Sequence, residues 1–351
     1  MIQEAIKKLV EGKDLTEQEA MGAMNGIMEG EATQAQIGSF ITALRIKGET
    51  IQEITGCARV MRDKADRIEP QINYYIDTCG TGGDGSNTFN ISTAVAFVAA
   101  AGGVPVAKHG NRSVSSKCGC ADVLEALGVD ISLEPGKVKE CMEQTGIGFM
   151  FAPTFHKSMK HAAGPRKELG IRTIFNILGP LTNPAGAKGQ VLGVFDGRLT
   201  EPLAKALLNL GTEKAMVIHG LDGMDEITTT GGTKVSEIKR GQVISYEIAP
   251  EEFGIKRSEK SQLTGGDSKT NAEIIKAVFQ GEKGARRDIV VLNAAAGLYV
   301  GKAAAGLKEG IAIAEEIIDS GKAMSKLEEL SRFSKSISSD RICNGNLLFI
   351  P

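Results

Sequence analysis

The chain has 351 residues, 42% of them hydrophobic and 24% charged, so it can bury a large core and divide into two domains. Lys and Arg number 41 against 43 Asp and Glu, a formal net charge of -2, which leaves no bulk electrostatic reason to expect nucleic-acid or membrane binding. The first residues lack an apolar signal core, and "STAVAFVAAAGGVPVA" is too short to span a bilayer and is broken by Gly102 and Gly103, so a cytoplasmic protein is expected.

Residues 1–70 predict a small helical domain. Capping-box pairs recur at Thr16 with Glu19, Thr33 with Gln36 and Thr50 with Glu53, and Gly12, Gly30 and Gly48 stand where helices should stop. Pro70 closes this region. From 71 to 351 the pattern is that of a large α/β domain. "NYYIDTC", "VPVAKHG", "IGFMFAP", "QVLGVFD" and "KAMVIHG" predict buried strands. "STAVAFVAAAGG", "ADVLEALG", "PGKVKECMEQTG" and "TEPLAKALLNLG" predict the helices between them. The alternation predicts a mainly parallel central sheet, with antiparallel additions at 225–250, where the residues alternate and turn at glycines. A helical segment at about 160–185 interrupts the rhythm, and the C-terminal hundred residues are mostly helical.

Four stretches could carry chemistry. "IDTCGTGGDGSNTFNIST", residues 76–93, satisfies G-x-G-x-x-G through Gly80, Gly82 and Gly85 and follows a strand. Glycines let backbone N–H groups approach phosphate oxygens, and Asn90, Ser92 and Thr93 stand where a helix N-terminus favours an anion. The polar insert "SNTFN" and the absence of an acidic residue after the next strand disfavour a dinucleotide turn. A tight strand–helix connection with no ligand would explain the glycines equally well. "KHGNRSVSS", residues 108–116, places Lys108 and Arg112 after a strand, where cations can neutralise phosphate, although one such cluster alone is commonly a solvated loop. "AGPRKELGIRTIFNILGPLTNPAG", residues 163–186, holds Arg166, able to pair with a carboxylate, or simply a surface arginine. "VIHGLDGMDEITTTG", residues 217–231, ends a strand at His219 and leads to Asp225 and Glu226. Adjacent carboxylates there suit Mg2+ shared with water and phosphate, against the simpler alternative of an acidic turn. The Cys118-Gly-Cys120 spacing near His109 is not that of a zinc finger, and a chain of this size needs no disulfides, so the six cysteines read as small buried or loop residues. A second "TGGD" at 264–267 is a loop entering a helix. Together the residues indicate Mg2+-dependent transfer on a phosphorylated sugar or nucleotide.

"GTGGDGSNTFNIST", "KHGNRSVSS", "RTIFNILGPLTNPAG" and "VIHGLDGMDE", in this order, resemble the signatures of the anthranilate phosphoribosyltransferase family across essentially the whole chain. The resemblance implies an active site in the cleft between the two domains, a fold similar to pyrimidine nucleoside phosphorylases, and a homodimer formed through the helical domain. It implies phosphoribosyl pyrophosphate binding by Gly80, Thr81, Gly82, Gly83, Asp84, Thr88, Asn90, Ile91, Ser92, Thr93, Lys108, His109, Gly110, Asn111, Arg112, Ser113, Val114, Ser115, Ser116 and Cys120. It implies two Mg2+ ions held by Ser92, Asp225 and Glu226, and anthranilate contacts from Gly80, His109, Asn111, Pro153 and Arg166. Cys120 departs from the Ala or Ser usual at its position. The rival readings are a pyrimidine nucleoside phosphorylase, which would use free phosphate, and a non-catalytic relative that binds nucleic acid. The motifs and the net charge weigh against both.

Overall fold

In the computed structural model, which describes residues 1–113 and 117–344 with side chains to 338, four helices precede the sheet: α1 (Ile2–Val10), α2 (Glu17–Met28), α3 (Gln34–Lys47) and α4 (Ile51–Asp63). All three capping boxes form, with Thr16, Thr33 and Thr50 each accepting the backbone N–H three residues on while Glu19, Gln36 and Glu53 reach back. Glu53 has a further task. Fully buried, it accepts the Leu15 N–H at 2.9 Å and pairs with Lys47 at 3.0 Å, so one carboxylate ties the start of α4 to the ends of two other segments. Gly48 takes φ +89 at the end of α3, a left-handed conformation that a Cβ would oppose.

The α/β part comprises β1 (Ile76–Gly80), α5 (Ile91–Ala101), β2 (Val106–Gly110), α6 (Cys120–Ala126), α7 (Pro135–Thr145), β3 (Ile147–Phe151), β4 (Gly189–Gly193), α11 (Thr200–Asn209), β5 (Lys214–Gly220), β6 (Thr233–Lys239) and β7 (Gln242–Ile248). Between β3 and β4 lie α8 (Ala152–Phe155), α9 (Lys160–Leu169) and α10 (Phe175–Leu178), the expected return to helix. The chain continues through α12 (Ser268–Phe279), α13 (Ala285–Val300), α14 (Leu307–Asp319) and α15 (Lys322–Asn344). The seven-stranded sheet has the order β3-β2-β1-β4-β5-β6-β7. Pairing is parallel from β3 to β5 and antiparallel at β5–β6 and β6–β7, as the sequence pattern predicts.

Strand order reverses between β1 and β4: the chain moves outward from β1 to β2 and β3, then crosses to β4 on the other flank. The loops leaving two such strands diverge and open a crevice at their C-terminal ends, the usual ligand position in an open α/β sheet. One face of the sheet is covered by α5 and α13, the other by α11 and the N-terminal helices. Helix α5 is buried almost throughout, as its all-round apolar sequence requires. Arg62 of α4 donates to the carbonyls of Leu181 at 2.6 Å and Leu210 at 3.1 Å, which joins the helical layer to the returning segment and to α11. Among the described residues no helix is long and apolar enough to cross a membrane.

Candidate active site

The glycine loop leaves β1 at the reversal. Gly82, Gly83 and Gly85 take φ +66, +73 and +75, so the loop needs glycine for its backbone path as well as for close approach. It is tied to the next strand by the Thr81 N–H, which donates to Gly193 O at 2.9 Å, and by the Phe195 N–H, which donates to Thr81 Oγ1 at 3.1 Å. Thr88 bridges to Thr264, and Gly265 N–H donates to Asn87 O at 2.9 Å, so the second "TGGD" braces the polar insert that follows the first. Asn90 caps α5 with no side-chain bond to the helix; its amide instead meets Cys118 O at 3.3 Å and Asn271 at 2.9 Å. The side chains of Ile91 and Thr93 turn into the core, and their N–H groups donate to Phe89 O at 2.8 Å and Asn90 O at 3.2 Å.

The loop after β5 brings Asp225 and Glu226 to the same place. Asp225 Oδ2 accepts the Gly82 N–H at 2.9 Å, and the Asp225 N–H donates to Asp84 Oδ2 at 3.3 Å. Glu226 Oε1 accepts the Ser92 N–H at 3.2 Å, so a carboxylate already sits on the open end of α5. Close approach is built in: a Cβ on Gly80 would lie 2.5 Å from Asp225 Oδ2, and one on Gly193 would lie 1.6 Å from Asp225 O. Removal from water, then the charge of Asp84, pushes the Asp225 carboxyl up to about 7. Glu226 is raised well above the usual carboxylate range by burial and by Asp225, with Lys108 opposing. Lys108, only 2% exposed, donates to Thr78 O at 2.6 Å and lies 3.5 Å from Ser92 Oγ. This buried ammonium opposes the rise of Glu226, while Asp225 and Asp84 crowd each other nearby.

Among the described residues, no three His, Cys, Asp or Glu side chains converge as a self-sufficient metal cage. Two raised carboxylates and a hydroxyl at a helix start fit a hard cation that takes its remaining oxygens from water and substrate.

The stretch after β2 is only partly as its composition suggests. Val114, Ser115 and Ser116 lie outside the described residues. Arg112 is ion-paired to Asp122 at 2.8 Å and Glu125 at 2.5 Å, so a phosphate would have to draw it from carboxylates on α6. Ser113 donates its N–H to Asp122 at 3.1 Å, and Asn111 is exposed at the rim. The Cys120 thiol fills the space above Gly110, where a Cβ would lie 2.2 Å from its Sγ, and donates to Asn111 O at 3.3 Å. The His109 and His156 rings meet with centroids 5.0 Å apart. Each Nε2 is buried without a partner among the described residues, and burial lowers the pKa to about 3 for His109 and about 4 for His156, so both rings are neutral at pH 7.

Arg166, on α9, stacks its guanidinium 5.0 Å from the Phe175 ring centroid and has no hydrogen-bond or ion-pair partner among the described residues. Burial lowers its pKa, the mark of a cation that lacks a counter-ion. Pro153 is exposed in the first turn of α8. The sequence singled out neither His156 nor the contact of Arg172 with Gly83; both are joined to the site only by folding.

Residues 3–65 match the model of the glycosyl transferase family, helical bundle domain, and residues 73–324 that of the glycosyl transferase family, a/b domain. An anthranilate phosphoribosyltransferase of Acetivibrio thermocellus is 70% identical over 336 residues, 96% of this chain and 97% of that protein. The crystal structure of the enzyme of that name from Thermus thermophilus superposes with a TM-score of 0.90 at 45% identity, covering 94% of this chain and 99% of the other. The Saccharomyces cerevisiae enzyme in complex with PRPP and Mg gives a TM-score of 0.88 at 30% identity, over 95% and 98% of the two chains. With both family models matched in order and relatives this similar over nearly their whole length, the chain belongs to the anthranilate phosphoribosyltransferase family.

Proposed function

We propose that the crevice at the β1–β4 reversal holds phosphoribosyl pyrophosphate with Mg2+, and that anthranilate lies beside it against Arg166. As a member of its family the chain transfers the phosphoribosyl group from 5-phosphoribosyl 1-pyrophosphate to the amine of anthranilate. The products are N-(5-phosphoribosyl)anthranilate and pyrophosphate, in tryptophan biosynthesis. The observation that carries the site assignment is the crowding of Asp84, Asp225 and Glu226 around the donors of the glycine loop and α5.

Ser92, Asp225 and Glu226 would hold the metal, two ions per site on this reading. Bound there, Mg2+ neutralises charge growing on the leaving pyrophosphate. The chain's own part is then to release its N–H groups. Gly82 and Ser92 donate to Asp225 and Glu226; with those carboxylates serving as metal ligands, both N–H groups would be free for phosphate oxygens. On the same reading the rest of the stretch from Gly80 to Thr93, residues 108–113, and Cys120 would line the same space, Val114, Ser115 and Ser116 lying outside the described residues. Lys108 adds a fixed positive charge beside Ser92 that needs no reorganisation during the reaction. Arg166 would take the anthranilate carboxylate by its fork of donors, with Gly80, His109, Asn111 and Pro153 around the ring. An aryl amine is already neutral at pH 7, so no strong base is required. Alignment, able to supply up to about 7–11 kcal/mol in favourable cases, and leaving-group stabilisation carry the rate.

The same reading divides the chain near residue 70, with 160–185 rejoining the helical domain, and makes the protein a cytoplasmic homodimer. Val10 and Ile46, 74% and 82% exposed at the ends of α1 and α3, support a dimer face on the helices; light scattering tests it. The decisive assay is loss of anthranilate fluorescence with phosphoribosyl pyrophosphate and Mg2+. Fluorescence should fall only when both are present, and base release from thymidine with phosphate should be negligible. No fall would overturn the reading.

A further inference from the structure

We propose that Arg172 is a positioning residue for the glycine loop: by holding the Gly83 carbonyl it fixes the Gly83–Asp84 peptide with its N–H available to an anion. The inference rests on the reading that this loop takes the pyrophosphate.

Arg172 lies between α9 and α10, in the segment that returns to the helices. Its guanidinium donates to Gly83 O, 89 residues earlier in the chain, and is the contact by which this segment grips the loop. It is held over the Phe195 ring, with 4.2 Å from Cζ to the centroid, and Phe195 is itself tied by its N–H to Thr81 Oγ1. The arginine, the ring and the loop thus form a closed circuit with two attachments on the loop, at residues 81 and 83. A Cβ on Gly83 would lie 3.3 Å from the guanidinium, so the lack of a side chain there serves this approach as well as the positive φ.

A trans peptide is planar, with the carbonyl of one residue and the N–H of the next on opposite sides. Fixing Gly83 O on Arg172 therefore fixes the Asp84 N–H facing away from it. That N–H has no hydrogen-bond partner among the described residues. Gly82 and Gly83 both tolerate either sign of φ, so without Arg172 this peptide could rotate and present its oxygen to the anion, a repulsive arrangement. The arginine keeps the loop in its anion-binding form before the substrate arrives.

The test uses the full chain with Arg172→Ala, Arg172→Lys and Phe195→Leu. Steady-state rates are measured against each substrate, together with amide exchange over residues 80–88, with and without Mg2+ and phosphoribosyl pyrophosphate. Arg172→Ala should raise KM for phosphoribosyl pyrophosphate about tenfold, the scale of one charge-assisted hydrogen bond. The kcat and the KM for anthranilate should stay within about twofold, well below that tenfold effect. In the free protein, exchange over 80–88 should quicken while the strands stay protected. Arg172→Lys, which keeps a donor, should recover most of the affinity, and Phe195→Leu should fall between. Unchanged KM and exchange in Arg172→Ala would overturn the proposal. So would a raised KM with unchanged exchange, which would make Arg172 a direct ligand of the substrate. A drop in melting temperature with kcat and both KM values altered together would reduce it to a structural residue. Failure of the underlying reading is seen separately, in the unsubstituted protein: if the substrate gives residues 80–88 no protection, the loop does not bind it and the proposal falls too.

Discussion

The two ends of β5 bury carboxylates in opposite ways. Near its first residue, Glu237 of β6 is 3% exposed and accepts hydrogen bonds from Tyr299 Oη at 2.5 Å and Tyr246 Oη at 2.9 Å. Neutral donors satisfy it, and Lys214 lies 3.3 Å from the Tyr299 ring centroid as a nearby cation. Beyond its last residue, Asp225 and Glu226 stand against Asp84, and their partners are backbone N–H groups that a phosphate would also claim. A carboxylate completed by side-chain donors holds the fold together; carboxylates crowded on contested donors have the make-up of the cation site proposed above. The chemistry of the neighbours, more than depth of burial, separates structure from function here.

The largest effect should come from removing the crowded charge. Asp225→Asn with Glu226→Gln should lower kcat/KM at ordinary Mg2+ by about a thousandfold or more, the scale of lost metal and electrostatic assistance. Because the repulsion also disappears, the melting temperature without Mg2+ should not fall. Near-normal turnover would sink the metal role. Steric intrusion should come next. Gly193→Ala drives a Cβ into the backbone oxygen of Asp225, which cannot yield locally, and should cost about 3 kcal/mol or more of stability in urea unfolding. Gly80→Ala meets only the Asp225 side chain, which can turn, so folding should survive with kcat/KM lowered about tenfold to a hundredfold.

Local features were legible in the sequence because they depend on near neighbours. The capping boxes need residues three apart, and the parallel-then-antiparallel sheet follows from apolar runs and glycine turns. Boundaries were less so: "IGFMFAP" predicts a strand through Pro153, yet β3 stops at Phe151 because Ala152 and Pro153 open a short helix, where proline loses no hydrogen bond. At the site, residue types pointed to phosphate and metal chemistry, but pairings across the fold did not show. Asp84 meets Asp225 across 141 residues, and Arg172 meets Gly83 across 89. Arg112 illustrates the same limit: its acids on α6 are ordinary helix residues until folding turns them towards it.

At the opposite end of β5 the expected effect is on stability alone. Glu237→Ala leaves the hydroxyls of buried Tyr299 and half-buried Tyr246 without their acceptor, a loss of about 1–3 kcal/mol. Urea unfolding should report it, while kcat and both KM values stay as they were. A matching loss of activity would mean that the two ends of the strand are coupled and that the division drawn between them is too sharp.

Lys214 gives the smallest and most specific test. Burial lowers its pKa from the usual lysine range to about 8, with Glu237 opposing. In the unfolded chain the group stays protonated up to about 10.4. Between these values the unfolded state binds the extra proton, so stability attributable to this lysine rises with pH through that window and is flat below it. The side chain is only part-buried, so solvent screening limits the rise to about 1 kcal/mol. Other groups titrate there as well, and Lys214→Met isolates the contribution. Measured from pH 7 to 10.5, the variant's stability should climb less steeply than that of the unsubstituted protein, and at pH 7 the methionine should be tolerated. Parallel curves would show that Glu237 and the ring of Tyr299 hold the ammonium charged at no cost, which would make this end of the sheet a balanced ion site rather than a carboxylate satisfied by neutral donors.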